Sequence, residues 1–198
     1  MTKRIILAAI VAGLVPAPAS AQPVAPAAVA PKDDLVRVRI DTSAGPIVVA
    51  LDRGRAPLTV ANFLAYVDGK KFDGETFYRA MPYGDGGLIQ GGIRSDGRKL
   101  RKPVAHEPVA KTGLRHVAGT VSMANGGPGT AQSDFFVLTT DIPALDADFA
   151  AFGRVVGGME VVRKILAAPV SPTKGEGNMK GQMLEPGVKI VKAARIAD

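Results

Sequence analysis

Residues 35–67 read LVRVRIDTSAGPIVVALDRGRAPLTVANFLAYV. Positions 35–40 alternate apolar with basic, the period of two that sets one side of a strand on a core and the other in water. Asp41-Thr42-Ser43-Ala44-Gly45 has turn chemistry, and 46–51 (PIVVAL) supplies the second arm of a hairpin. The period then changes. Val60, Phe63, Leu64 and Val67 recur at helical spacing, with Pro57 near the start and Gly69 past the end. Further along, short β-rich runs stand between glycine-rich loops at 76–81, 88–92, 119–123, 134–138 and 151–156. A second helix is expected over 158–168, its apolar face made by Val161, Val162, Ile165 and Leu166, with Pro169 beyond its end. A last strand is expected over 188–196. No internal repeat is present. Many short strands with two isolated helices indicate a mainly β fold, a closed or nearly closed antiparallel barrel capped by helices.

Upstream of this domain the composition changes twice. Residues 22–34 (QPVAPAAVAPKDD) are Pro/Ala-rich and read as an extended linker. Lys3 and Arg4 precede an apolar run over 5–15 that is shorter than a membrane span, and Ala19-Ser20-Ala21 has the small-x-small pattern of a cleavage site. Residues 1–21 are therefore expected to be a signal peptide. Pro16 and Pro18 count against a retained spanning helix, and no cysteine follows the run to carry a lipid. Cleavage after Ala21 would leave a chain starting at Gln22, outside the cytoplasm and without stable membrane insertion; the expected location is the periplasm.

The whole chain has 198 residues, 46% of them hydrophobic and 22% charged, so it can bury a core. The absence of cysteine excludes disulfides, thiol nucleophiles and thiolate metal sites, and only two histidines are present, His106 and His116. Net charge falls from +7 to +5 on removal of residues 1–21, whose only charges are Lys3 and Arg4. The densest basic cluster, residues 98–102 (RKLRK), has no aromatic neighbour to stack on a base, so it reads as a solvated loop and no nucleic-acid partner is expected. There is no G-x-S-x-G, H-E-x-x-H, Walker loop or complete G-x-G-x-x-G. No serine stands on a strand-to-helix turn, which speaks against a Ser–His–Asp nucleophile.

Five segments remain: 56–82 (APLTVANFLAYVDGKKFDGETFYRAMP), 88–92 (LIQGG), 113–125 (GLRHVAGTVSMAN), 133–137 (SDFFV) and 144–162 (ALDADFAAFGRVVGGMEVV). In this order they resemble the cyclophilin family of peptidyl-prolyl isomerases, above all its secreted bacterial branch. The resemblance spans residues 35–198. It implies a closed eight-stranded barrel capped by two α-helices, with a peptide groove on the outer face. It also implies catalysis of rotation about Xaa-Pro bonds, using neither cofactor nor metal. The substrates it implies are proline-containing polypeptides, and a monomer is expected.

By the same resemblance Arg79, in FYRAMP, takes the place of the catalytic arginine, and Gln90 that of the glutamine beside it. Phe136 matches the floor of the proline pocket and Leu145 the pocket leucine, while Leu88 stands where the family has methionine. Ala124 and Asn125 match the pair whose backbone anchors the extended substrate. Phe135 is expected to face the core, by strand alternation.

Some positions depart from the family. Between Pro82 and Gln90 the chain is three residues longer (YGDGGLIQ against G-F-M-[IVC]-Q), and Gly87 falls where a pocket phenylalanine belongs, with Tyr83 as a candidate substitute. Asp134 replaces a glutamine by an acceptor-only anion, which would orient Arg79 or pair with it. Phe149 stands where many members have histidine or tyrosine, and Ala144 where they have tryptophan or phenylalanine. A wider, less aromatic pocket, slower catalysis and poor cyclosporin binding are the expected consequences. The rival readings are a non-catalytic module that holds proline-containing segments, as a chaperone or assembly factor, and a barrel with no peptide site at all.

Overall fold

The computed structural model describes residues 34–197. The expected signal peptide and all but the last residue of the expected linker lie outside the described residues. Asp34, left in the linker by the sequence reading, belongs with the domain, since its carboxylate takes two hydrogen bonds from the Arg53 guanidinium at 2.8 and 2.9 Å.

The first hairpin forms as its periodicity requires, from β1 (Leu35–Thr42) and β2 (Gly45–Asp52). Six more long strands follow in chain order: β3 (Thr76–Tyr83), β4 (Gly86–Gly92), β5 (Thr120–Met123), β6 (Phe135–Leu138), β7 (Ala150–Gly157) and, last, β9 (Met183–Arg195). They pair antiparallel in the order β1-β2-β7-β5-β6-β4-β3-β9, and β9 returns to β1, which closes the barrel at eight strands. A two-residue strand, β8 (Val170–Ser171), sits on β9 outside this ring.

Two corrections to the sequence reading follow. The final strand starts at Met183, not at 188, because residues 184–187 bulge out of register between the pairs Phe77↔Val188 and Arg79↔Met183; Pro186 has no N–H to give to a ladder. Besides α1 (Pro57–Asp68) and α3 (Met159–Leu166), the two expected helices, the chain forms a single helical turn, α2 (Val109–Thr112), too short to show a period.

The inward side chains of the strands meet the apolar faces of α1 and α3 in one core. Phe63 of α1 is at its centre, with its ring 5.1 Å from Phe72 and Phe135 and 5.2 Å from Phe152. Truncating such a residue to alanine costs about 3–5 kcal/mol. Ala56, at the N-cap of α1, has no hydrogen-bonding side chain to offer, so the helix is capped from a distance. The buried carboxylate of Glu107 accepts from Leu58 N (3.2 Å), Thr59 N (2.8 Å) and Thr59 Oγ1 (2.7 Å), placing an anion on the positive end of the helix.

The basic segment 98–102, expected to be a solvated loop, is only partly one. Lys99 Nζ reaches the buried Glu75 carboxylate at 2.7 Å, and Glu75 also accepts from the amides of Arg94 and Ser95 and from the Ser95 hydroxyl. Burial alone would raise the Glu75 pKa, but these donors hold it below the ordinary value.

Candidate active site on the outer face of the barrel

Side chains that point outward from β3, β4, β6 and β5 form a row across the sheet. Arg79 is the cross-strand partner of Gln90, Gln90 of Phe136, and Phe136 of Ser122. A second row, two residues along each strand, holds Met81, Leu88 and Leu138. Phe135 points the other way, into the aromatic core, as alternation predicts.

A β-bulge adjusts this pattern at its polar end. The register passes from Phe77↔Gly91 to Arg79↔Gln90 and leaves Tyr78 as the extra residue, so the side chains of both Tyr78 and Arg79 reach Gln90. Arg79 is clamped by neutral acceptors: Nη1 donates to Gln90 Oε1 at 2.9 Å, Nε to Gln182 Oε1 at 2.9 Å, and Nη2 to Met81 Sδ at 3.3 Å. Of the five N–H groups of a guanidinium these contacts engage three. Among the described residues Arg79 has no carboxylate partner. Burial lowers its pKa while the neighbouring Tyr78 opposes that shift, and an arginine so placed remains a cation at physiological pH.

A chain of hydrogen bonds fixes the Gln90 amide. Its oxygen accepts from Arg79, its nitrogen donates to Tyr78 OH at 2.6 Å, and that hydroxyl donates to Asp134 Oδ2 at 2.6 Å. The Asp134 carboxylate does not pair with Arg79, contrary to one of the two expectations; it is three hydrogen bonds away and acts on the arginine only through Tyr78 and Gln90, by setting the direction of the chain. Burial first, then the charge and hydrogen bond of Asp134, push the Tyr78 hydroxyl well above its ordinary pKa, so it stays a donor.

The apolar end is a compact patch. Leu88, Phe136, Leu138 and Ile142 are buried, with Met81, Ala124, Leu145 and Phe149 packed around them and partly exposed. Phe136 is only 3% exposed and packs edge-to-face with Phe149, with ring centroids 5.5 Å apart at 83°. Beyond Gln90, on the Tyr78–Asp134 side, a groove of about 450 Å³ runs past Ala124, Asn125, Gln132 and Arg94.

Every residue expected at the site therefore lies on or beside this surface, with two adjustments. The Ala124 amide is taken by the Asp134 carbonyl at 2.8 Å and is not a donor for a peptide. Asn125 holds its own loop, Nδ2 donating to the Asp148 carbonyl at 2.9 Å and Oδ1 accepting from Gly127 N at 3.0 Å.

Tyr83 does not replace the missing aromatic ring. It is 50% exposed at the tip of the β3–β4 hairpin, paired with Gly86, and the lengthened segment packs against Thr139 and Thr140 rather than over the patch. Gly87 adopts φ +151°, where a Cβ would lie 2.1 Å from the Met81 carbonyl oxygen. Met81 fills the apolar row instead.

Sequence reasoning missed Met81, Tyr78 and Gln182. Met81 was open to alternation from Arg79, but Tyr78 is placed by a bulge, and Gln182 comes from 103 residues away without a motif.

Comparisons with known proteins point the same way. The family model described as "Cyclophilin type peptidyl-prolyl cis-trans isomerase/CLD" matches residues 36–195. The chain is 42% identical over 137 residues to peptidyl-prolyl cis-trans isomerase A of Dickeya dadantii, covering 65% of this chain and 70% of that protein. The fold resembles the crystal structure of a cyclophilin type peptidyl-prolyl cis-trans isomerase of Cryptosporidium parvum, with TM-score 0.70, 22% identity, and coverage of 83% of this chain and 99% of that one. A second structure of that parasite protein, determined in the presence of the dipeptide Ala-Pro, matches with TM-score 0.68, 22% identity, and coverage of 82% of this chain and 99% of that one.

Proposed function

The chain belongs to the cyclophilin-type peptidyl-prolyl cis-trans isomerase family, and on that premise we propose that it isomerises Xaa-Pro bonds of exported proteins, with Arg79 as the donor to the prolyl nitrogen. The barrier it lowers is about 18–20 kcal/mol, because rotation gives up amide resonance. Uncatalysed, the step takes on the order of tens to hundreds of seconds, slow enough to limit folding. Halfway through the turn the prolyl nitrogen loses conjugation, pyramidalises and carries a lone pair. A donor aimed at that lone pair binds the twisted amide better than either planar isomer, and only such a differential interaction accelerates the step.

The single observation that carries this reading is the clamp on Arg79. A cation held by Gln90, Gln182 and Met81, with no carboxylate among the described residues to neutralise it and N–H groups to spare, stands where the polar row meets the apolar patch. In the proposed complex the proline ring rests on Phe136, between Met81, Leu88, Leu145 and Phe149. The preceding residues run past Gln90 into the groove beside Ala124, Asn125 and Asp134. The chemistry asks for no nucleophile and no net proton transfer.

The pocket is proposed to be a divergent one. Gly87 brings no side chain to it and Ala144 is exposed, at the places of a phenylalanine and of a tryptophan or phenylalanine in the family. Slower turnover and weak cyclosporin binding are the expected consequences. Export to the periplasm, supported by the sequence of residues 1–21, and action as a monomeric folding assistant there complete the proposal.

Two experiments test it. In a peptide isomerisation assay Arg79→Lys, which keeps the charge but loses the fork of donors, should lower kcat/KM about tenfold or more; equal rates for variant and wild type would contradict the role. N-terminal sequencing of protein recovered from the cell envelope should begin at Gln22, and an intact Met1 would contradict export.

A further inference from the structure

The outward row ends at Ser122, whose hydroxyl meets the buried imidazole of His116. His116 follows the turn after α2, and both its backbone and its ring are tied down. The His116 amide donates to Asp146 Oδ1 at 2.9 Å and the ring Nδ1 lies 2.7 Å from the same oxygen. On the other side Nε2 lies 2.9 Å from Ser122 Oγ. A carboxylate only accepts, so Nδ1 carries the proton and, in the neutral ring, Nε2 accepts from the serine hydroxyl. The face of this fixed ring stacks on Phe136, with centroids 6.0 Å apart and planes inclined by 24°. Phe136 thus stacks on His116 and packs edge-to-face with Phe149.

The order serine, histidine, aspartate is that of an activated nucleophile, but Ser122 is 0% exposed in the middle of β5 and no substrate can reach its oxygen. The hydroxyl acts as a tether. What the chain of three can do is hold one aromatic ring still.

We propose that His116 is a positioning residue for the proline site, fixing the plane of Phe136 while Asp146 and Ser122 fix the imidazole. The inference rests on the role of Phe136 as the floor beneath the proline ring. β5 presents Ser122 to the imidazole and β6 presents Phe136, neither of them ionisable. The turn at Pro143–Ala147 presents Asp146, backed by Arg115 with its Nε 3.5 Å from Asp146 Oδ2. Asp141, from the loop after β6, is engaged by the Ala118 amide at 2.7 Å. Burial lowers the His116 pKa more than Asp146 raises it, so the ring under the patch is neutral near pH 7.

The test has two arms. In steady-state kinetics on an Ala-Pro-containing peptide, His116→Phe keeps a ring but loses both tethers, and Asp146→Asn weakens one of them. Each should raise KM about three- to tenfold, with a smaller change in kcat, because Arg79 keeps its own clamp. A folded His116→Phe protein with unchanged KM overturns the inference. The second arm needs no variant. The His116 ring resonance of the wild-type protein is titrated by NMR with and without saturating dipeptide Ala-Pro, and its midpoint should move down as bound proline covers the patch. His106, the one other histidine, serves as the internal control. An unmoved His116 midpoint overturns the inference as well. Phe136→Ala separates the two levels: unchanged KM there overturns the proposed pocket itself, whereas raised KM there with wild-type behaviour in His116→Phe overturns only the positioning role.

Discussion

Arg79 Nε and Gln182 Oε1 stand 2.9 Å apart although 103 residues separate them in the chain. The contact exists because the barrel closes. β9 leaves its bulge beside β3, and Gln182, just ahead of β9, meets the guanidinium from the side opposite Gln90. Removing one of three clamps frees a long side chain to sample other rotamers. Gln182→Ala is therefore expected to lower kcat/KM about tenfold with unchanged thermal stability, since a misplacement of about 1 Å is enough for such losses. Wild-type kcat/KM in this variant would show that Gln90 and Met81 hold the arginine unaided.

Restoring a side chain at position 87 should fail. The +151° backbone and the 2.1 Å approach of a Cβ to the Met81 carbonyl oxygen mean that Gly87→Ala must distort the β3–β4 pairing. A lower Tm with no gain in isomerisation is expected, and a more active Gly87→Phe protein would overturn this assignment of the pocket. The position shows what counting along the sequence misses. Aligning back from Gln90 places Gly87 at an aromatic site, but the three extra residues lengthen a hairpin, and the apolar row is completed by Met81 on the facing strand.

Stability is expected to depend strongly on Glu107. Its carboxylate satisfies two backbone amides and one hydroxyl at the start of α1, and Glu107→Ala would leave these buried donors without an acceptor. The expected cost is about 2–3 kcal/mol, a fall in Tm of roughly 5–10 °C for a domain of this size. Differential scanning calorimetry reads it directly. Activity at 25 °C should be unchanged, because the hydrogen-bond partners of Glu107 are Leu58 and Thr59 of α1 and not residues of the Arg79 row. A change of less than about 1 °C would mean that water replaces the carboxylate.

The pH dependence of stability should carry the sign set by His116. Its folded-state pKa lies below the ordinary 6.5, with burial the leading cause, so on acidification the unfolded chain takes up the proton first. Stability is then full above the ordinary value and falls as pH drops from 6.5 to the lower folded value. Urea unfolding at pH 7.5 and 5.5 should show the loss, and His116→Phe should reduce it. Asp146 acts in a lower window. Burial opposes its ionisation, but the His116 side chain and amide, with Arg115, hold its pKa below 3.8, so its contribution is lost only below that value.

The sequence made the barrel legible because its strands alternate and its two main helices have apolar faces, physical patterns that survive without coordinates. It made Arg79, Gln90, Phe136 and Leu145 legible through ordered motifs. Hydrogen-bond logic stayed hidden. The direction of the Gln90 amide is set by Tyr78 and Asp134, one displaced by a bulge and the other just ahead of β6, 56 residues from it. His116 and Asp146 are separated by 30 residues, and nothing in either segment marks them as partners. Such contacts depend on register and closure, which local periodicity does not encode.

The most direct measurement is exchange spectroscopy by NMR on one proline-containing peptide, with wild-type protein and with Arg79→Ala, both at saturating and substoichiometric concentration. Wild type should bind the peptide and make cis and trans resonances exchange far faster than in free solution. Arg79→Ala should still bind but exchange about 10²–10³-fold more slowly. Binding by wild type without any acceleration would leave a holding module, and equal acceleration by both proteins would remove Arg79 from the chemistry.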